Sequence, residues 1–96
     1  MVVPAWFNDG QVSRVREVVT DVVDGVLHLA DPVTLETIET WPAADVFPLH
    51  GRKGELRIGC TGQPDGARLI FTGAGDVQRV RDMLPALAHR HRMETG

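Results

Sequence analysis

The side chains that could bind a metal or move a proton are few. His28, His50, His89, His91 and Cys60 are all the nitrogen and sulfur ligands in the chain. His89 and His91 stand two apart in a segment of helical periodicity and therefore point in different directions. Helical metal pairs sit four apart on one face, so no zinc site is expected. Asp21 and His28 form half of a hydrolytic triad by composition, but no Ser or Cys nucleophile can be placed beside them. A cross-strand, charge-assisted pair is the simpler reading. Gly73-Ala74-Gly75 has the look of a dinucleotide loop. However, position 78 is Gln78 rather than a third glycine, and no second strand follows to complete a βαβ unit, so a glycine-rich entry into a helix is expected. The carboxylates are scattered and define no acid-base pair. The chain thus reads as non-enzymatic, with no catalytic residue, metal or cofactor.

Cations supply the candidate interaction surface. Arg79, Arg90, His91 and Arg92 gather toward the C-terminal end, and Arg52 with Lys53 lies in a polar loop. These six could be a solvated helix end and loop, or they could meet anionic lipid headgroups. The first turn, Asn8-Asp9-Gly10-Gln11, is acidic, which disfavours phosphoinositide recognition through it. Trp6 and Trp41 read as packing residues; exposed together, they would suggest a peptide groove.

A series of short strands and one helix must position these groups. Val77, Val80, Leu84, Leu87, Ala88 and His91 recur at helical spacing over residues 76–92, with Asp76 at the N-terminal end as the expected cap. Pro85 falls inside this stretch and predicts a kink, or else two short helices with Pro85 in the first turn of the second. Upstream, residues 2–7 form a strand closed by a tight turn, and a second strand runs within 12–23. Asp24-Gly25 between valines predicts a two-residue hairpin pairing Val23 with Val26, Val22 with Leu27, Asp21 with His28, and Thr20 with Leu29. Further strands are expected over 34–41, 46–49, 55–60 and 67–72. Leu56, Ile58 and Cys60 should point inward, while the buried face of 34–41 stays open. That makes about seven strands and then a helix. An apolar-striped helix in such a chain needs a sheet or barrel to lie on.

The bulk properties agree with one folded domain. The chain has 96 residues, 43% hydrophobic and 24% charged, with a net charge of −3. A nucleic-acid partner would call for an excess of Lys and Arg, so none is expected. One cysteine permits no internal disulfide, and its alternation with Leu56 and Ile58 predicts a buried thiol. No apolar run reaches the length of about 18 residues needed to span a membrane, and no signal peptide is evident. Residues 1–92 are expected to form the domain and 93–96 a loose tail.

Seven strands followed by one helix is also the element order of the pleckstrin-homology-like (PH-like) fold, a barrel of antiparallel strands capped by its last helix. The chain resembles, more specifically, the N-terminal PH-like accessory domain of bacterial, membrane-associated zinc metallopeptidases of the HExxH class. The likeness is carried by Asn8-Asp9-Gly10 with Ser13-Arg14, and by the Asp24-Gly25 hairpin with Val26, Leu27 and Leu29. It continues through Trp41-Pro42-Ala43-Ala44-Asp45-Val46, Leu56-Arg57-Ile58-Gly59-Cys60 and Ala67-Arg68-Leu69-Ile70-Phe71. It covers most of the chain. No His-Glu-x-x-His helix and no anchor are present in it, so no catalytic or zinc-binding residue is carried over. The resemblance implies a non-catalytic interaction or regulatory module in the cytoplasm, membrane-associated through a longer parent chain. Its partner would be a peptidase domain in cis, or a peptide added to a strand edge or bound beside the helix. The alternative is a membrane-surface module acting through the basic helix end.

Overall fold

Asp24 and Gly25 adopt φ values of 52° and 76°, the left-handed pair that a primed two-residue turn requires. The strands on either side pair in the expected register, Val23 with Val26 through Thr20 with Leu29. The computed structural model describes residues 2–87. In chain order its strands are β1 (Val3–Asn8), β2 (Arg16–Val23), β3 (Val26–Ala30), β4 (Thr37–Pro42), β5 (Val46–Leu49), β6 (Glu55–Cys60) and β7 (Arg68–Thr72). A 3-10 turn, Ala43–Asp45, links β4 to β5, and helix α1 (Ala74–Met83) follows β7. The fold is therefore mainly β, with one C-terminal helix among the described residues. All seven strands belong to one antiparallel sheet in the order β4-β3-β2-β1-β7-β6-β5.

That sheet is curled into a half-barrel. Phe7 of β1 and Trp41 of β4 are three strands apart, about 14 Å across a flat sheet. Their rings nonetheless meet edge to face, with centroids 6.1 Å apart and planes at 71°. The concave side holds one core, formed by Val3 and Phe7, Val18, Leu27 and Leu29, Trp41, Val46, Leu56 and Ile58, and Leu69 and Phe71 from the successive strands. Val80, Leu84 and Leu87 close it from the helical side, with Val77 and Met83 partly buried against it. Thr20 Oγ1, a buried hydroxyl on this side, donates to the Val3 carbonyl at 2.8 Å, as a polar group in an apolar interior must. Trp41 Nε1 donates to Glu39 Oε1 at 3.1 Å.

Four expectations about boundaries need correction. The helix begins at Ala74, not Asp76. Gly73, at φ 87° and ψ 131°, occupies the cap position without a side-chain hydrogen bond, and its carbonyl accepts the Val77 N–H at 3.0 Å. Asp76 lies inside the first turn, where its carboxylate still meets the positive helix end. At the other end Pro85 terminates α1 rather than kinking it. Leu84 leaves helical geometry at φ −128° and ψ 73°, because the proline ring disfavours the helical region for the residue before it. A new turn starts there, the Leu87 N–H donating to the Leu84 carbonyl at 3.0 Å, which matches the two-helix alternative as far as Leu87. The remainder of 76–92, and the tail at 93–96, lie outside the described residues.

The other two corrections concern turns. β4 starts at Thr37, not at position 34, because Asp31 organises a turn. Its Oδ1 accepts the N–H groups of Val33 and Thr34 at 2.8 and 2.9 Å, while its backbone pairs with Leu35 and Glu36. The link from β1 to β2 is a loop over residues 9–15 instead of a tight turn. Asn8 Oδ1 accepts the Gly10 N–H at 2.7 Å, and Asp9 Oδ1 accepts the Gln11 N–H at 2.9 Å. Gly10, at φ +83°, packs on the turn before β7; a Cβ there would lie 2.7 Å from both Ala67 N and Asp65 O.

Two measurements test this account. Gly25 also has positive φ, but a Cβ on it would meet nothing within 4 Å. Gly25→Ala should cost about 1–2 kcal/mol of unfolding free energy from left-handed backbone alone. Gly10→Ala adds a backbone collision, so urea unfolding should show it costing more than Gly25→Ala by at least about 1 kcal/mol. The Asp31 carboxyl is held below its ordinary value of 3.8 by the Thr34 and Val33 N–H groups first and by Arg16 after them. A depressed folded pKa gives stabilisation that is complete above the unfolded value and is lost as pH falls through the folded one. Asp31→Asn should therefore flatten part of the stability loss that wild type shows below pH 3.8, read from denaturation midpoints.

Candidate convex-face site beside the helix

The concave side is filled by the core, which leaves the outer side of the sheet open to contacts. Along β1 the pattern alternates: Val3, Ala5 and Phe7 are buried, while Pro4 and Trp6 face out. Trp6 is 45% exposed, whereas Trp41 is fully buried. The two indoles sit on opposite sides of the sheet, and the groove that their joint exposure would have formed does not exist. Trp6 instead stands between Glu17 of β2 and Ile70 of β7, its neighbours in register. Together with Pro4, Thr72 and Asp76 these residues line a hollow of about 210 Å³. The short Gly73 connection brings Asp76 there, one turn after β7 ends. Its carboxylate takes a 2.8 Å ion pair from Arg79. The arrangement is an aromatic face and an aliphatic side chain rimmed by two carboxylates, one of them paired. It can accept an apolar or cationic side chain.

The predicted cationic surface is only partly assembled. Arg52 and Lys53 are exposed in the loop between β5 and β6. The Arg52 N–H donates to Glu55 Oε1 at 3.4 Å, and Glu55 also receives Arg57 at 3.3 Å. Glu55 pairs with Thr72 across the β6-β7 ladder, which puts this loop at the end of the sheet where the helix begins. Arg79 is committed to Asp76. Arg90, His91 and Arg92 lie outside the described residues. Asp21 does face His28 in the hairpin register, and its Oδ1 also accepts the Val22 N–H at 2.9 Å. Cys60 is buried, its thiol 3.6 Å from the Thr61 carbonyl. Among the described residues no group of three or more His, Cys, Asp or Glu could hold a metal ion, and no helix is long and apolar enough to cross a membrane.

Neither sheet edge invites an added strand. Thr61 donates to the Asp45 carbonyl, which fixes the alternation of the β5-β6 ladder and turns the backbone of Val46 and Pro48 outward. Val46 N–H is taken by the Ala43 carbonyl, and Pro48 has no N–H, so β5 presents no donor. The β3-β4 ladder shifts register between Leu29 and Ala30. Glu39 points to the inner side, and Pro42 ends the strand. An interrupted edge strand, an inward charge and edge prolines are devices that suppress edge pairing.

Compared with protein-family models, curated proteins and solved structures, the chain matches none.

The opposite placement of the two tryptophans has a spectroscopic consequence. Acrylamide should quench Trp6 and spare Trp41. Trp6→Phe should leave a blue-shifted, poorly quenched emission, and Trp41→Phe a red-shifted, well-quenched one.

Proposed function

We propose that this chain is a non-catalytic interaction module that docks a protein partner on its convex face around Trp6, next to α1. The observation that carries the reading is the half-exposed Trp6 beside Ile70, on a strand whose alternate residues are buried. Aromatic residues anchor interfaces when a large apolar surface is held rigidly in water. The blunted strand edges support contact through a side-chain surface over strand addition. Seven antiparallel strands followed by a helix support a PH-like assignment. On that assignment the partner is the catalytic domain of a membrane-associated zinc metallopeptidase, joined in the same parent chain or acting beside it.

The test is biolayer interferometry of the chain against the catalytic domain of a HExxH-class membrane peptidase from the same genome. A complex with a dissociation constant of about 1–100 μM is expected. Trp6→Ala should weaken it at least tenfold, while folding stability changes by only about 1 kcal/mol. The double variant Arg52→Glu, Lys53→Glu should bind as wild type does. The competing lipid reading is checked by sedimentation with anionic vesicles at low and high salt. Salt-sensitive vesicle binding lost in the double variant, with no peptidase complex at high micromolar concentration, would replace the docking module with a membrane-surface module.

A further inference from the structure

A second hollow lies on the outer side of β5 and β7 against the turn that precedes β7, and Arg68 in its lining carries the one buried polar side-chain atom without a hydrogen-bond partner among the described residues. Gly59 lies beneath the Phe47 ring that walls it. It pairs with Phe47 of β5, and the register that sets Ile58 against Leu69 sets Gly59 against Arg68 of β7. A Cβ at Gly59 would lie 3.0 Å from the Phe47 ring and 3.4 Å from Leu49. Glycine therefore lets the aromatic ring lie down on the sheet, the close approach that an in-strand glycine commonly marks. The resulting space of about 240 Å³ is walled by Phe47, Leu49 and Pro64 on its apolar side and by Arg68 on its polar side, with Asp65 also in its lining.

The Arg68 guanidinium is incompletely satisfied. Nη1 donates to the Gly66 carbonyl at 2.9 Å. Nε is shut off from solvent and finds no acceptor, and Nη2 makes no hydrogen bond among the described residues. Arginine keeps its charge at any pH a folded protein sees, so it cannot relieve the deficit by losing a proton. A buried donor left unpaired costs more than an ordinary hydrogen bond returns, and it asks for an acceptor. The unused Nε–Nη2 side of the fork matches the two oxygens of a carboxylate.

We infer that the hollow between Phe47 and Arg68 binds a carboxylate carrying a small apolar body, the carboxylate on Arg68 and the apolar part against Phe47 and Leu49. Nη2 meets the carboxylate first, and Nε joins as the guanidinium turns toward it. A free aryl or alkyl acid and the C-terminus of a peptide ending in an apolar residue share this chemistry.

The experiment is a titration of the ¹⁵N-labelled full chain with phenylacetate, followed by ¹H–¹⁵N correlation spectra. Phenylacetamide serves as the uncharged control. Saturable shifts are expected at Phe47, Leu49, Gly59 and Gly66 and at the Arg68 Nε–H resonance, with a dissociation constant of about 1 mM. Arg68→Gln should abolish them. Arg68→Lys, which keeps the charge and loses the fork, should weaken them at least tenfold. Shifts that are absent at roughly 10 mM ligand, equal for the amide, located elsewhere, or retained in Arg68→Gln overturn the assignment. If Arg68→Gln fails to fold, the Nε–H resonance of wild type decides, because only direct pairing moves it far downfield with phenylacetate and not with phenylacetamide. An acetylated Gly-Phe dipeptide run beside its C-terminal amide separates the two sources. Tighter binding of the free dipeptide than of phenylacetate identifies a chain terminus, and the reverse order identifies a small acid.

Discussion

The contact between Phe7 and Trp41 sets the shape of this molecule. Two rings on strands three places apart can touch only if the sheet between them bends. Once it bends, the inward residues of every strand converge on one interior, and the outward residues are spread over a convex surface. A chain of this length has little apolar material to spare, and gathering it on one side leaves no second core to cover the other. Trp41 bears the larger share. It is fully buried, and its indole N–H is satisfied by Glu39 rather than stranded. The helix completes the enclosure by laying Val80, then Leu84 and Leu87 beyond it, over the open end.

The features with chemical potential follow from that division. Trp6 is held in water because its strand neighbours Ala5 and Phe7 are committed to the interior. Arg68 is held outward by the same alternation, between Leu69 inside and Ala67 in the preceding turn. The two hollows flank β7 on the convex side, one toward β1 and the helix and the other toward β5. The first is walled by strand residues and by Asp76 of the helix, while the second sets Phe47, Leu49 and Arg68 from strands against the turn that precedes β7. The blunted edges of β4 and β5 complement this arrangement, since they direct recognition toward side chains and away from the backbone.

Turn chemistry was the most legible part of the sequence. Asp24-Gly25 admits one hairpin type, and that type dictates the whole β2-β3 register, including Asp21 opposite His28. Leu56, Ile58 and Cys60 were legible by alternation. The helix start was not, because Asp76 is the better cap by side chain while Gly73 wins by backbone conformation. The start of β4 was hidden because Thr34 and Leu35 have strand-like composition, yet Asp31 draws them into its turn and forces Leu35 to φ 62°. Pro85 allowed a kink or a break, and the residue before it decides for the break. The two tryptophans could not be told apart, since each sits among prolines and apolar neighbours and only the register assigns their sides. Proximity of Arg68 to Phe47 was equally invisible: it depends on two ladders meeting at Gly59, and no local pattern encodes that.

One property of the strand order remains. Every pairing in the sheet joins neighbours in sequence except β1 with β7. The polypeptide is thus two meanders, one of four strands and one of three, stitched by the short ladder that sets Trp6, Phe7 and Asn8 against Ile70, Leu69 and Arg68. The hairpins within each meander close small loops, but the stitch must close a loop of some sixty residues, an entropic toll that grows only with the logarithm of length but precedes any reward. The rate at which this molecule reaches its native state should accordingly be governed by that seam. Substitutions there would slow folding, whereas equally destabilising ones in β5 would mainly hasten unfolding.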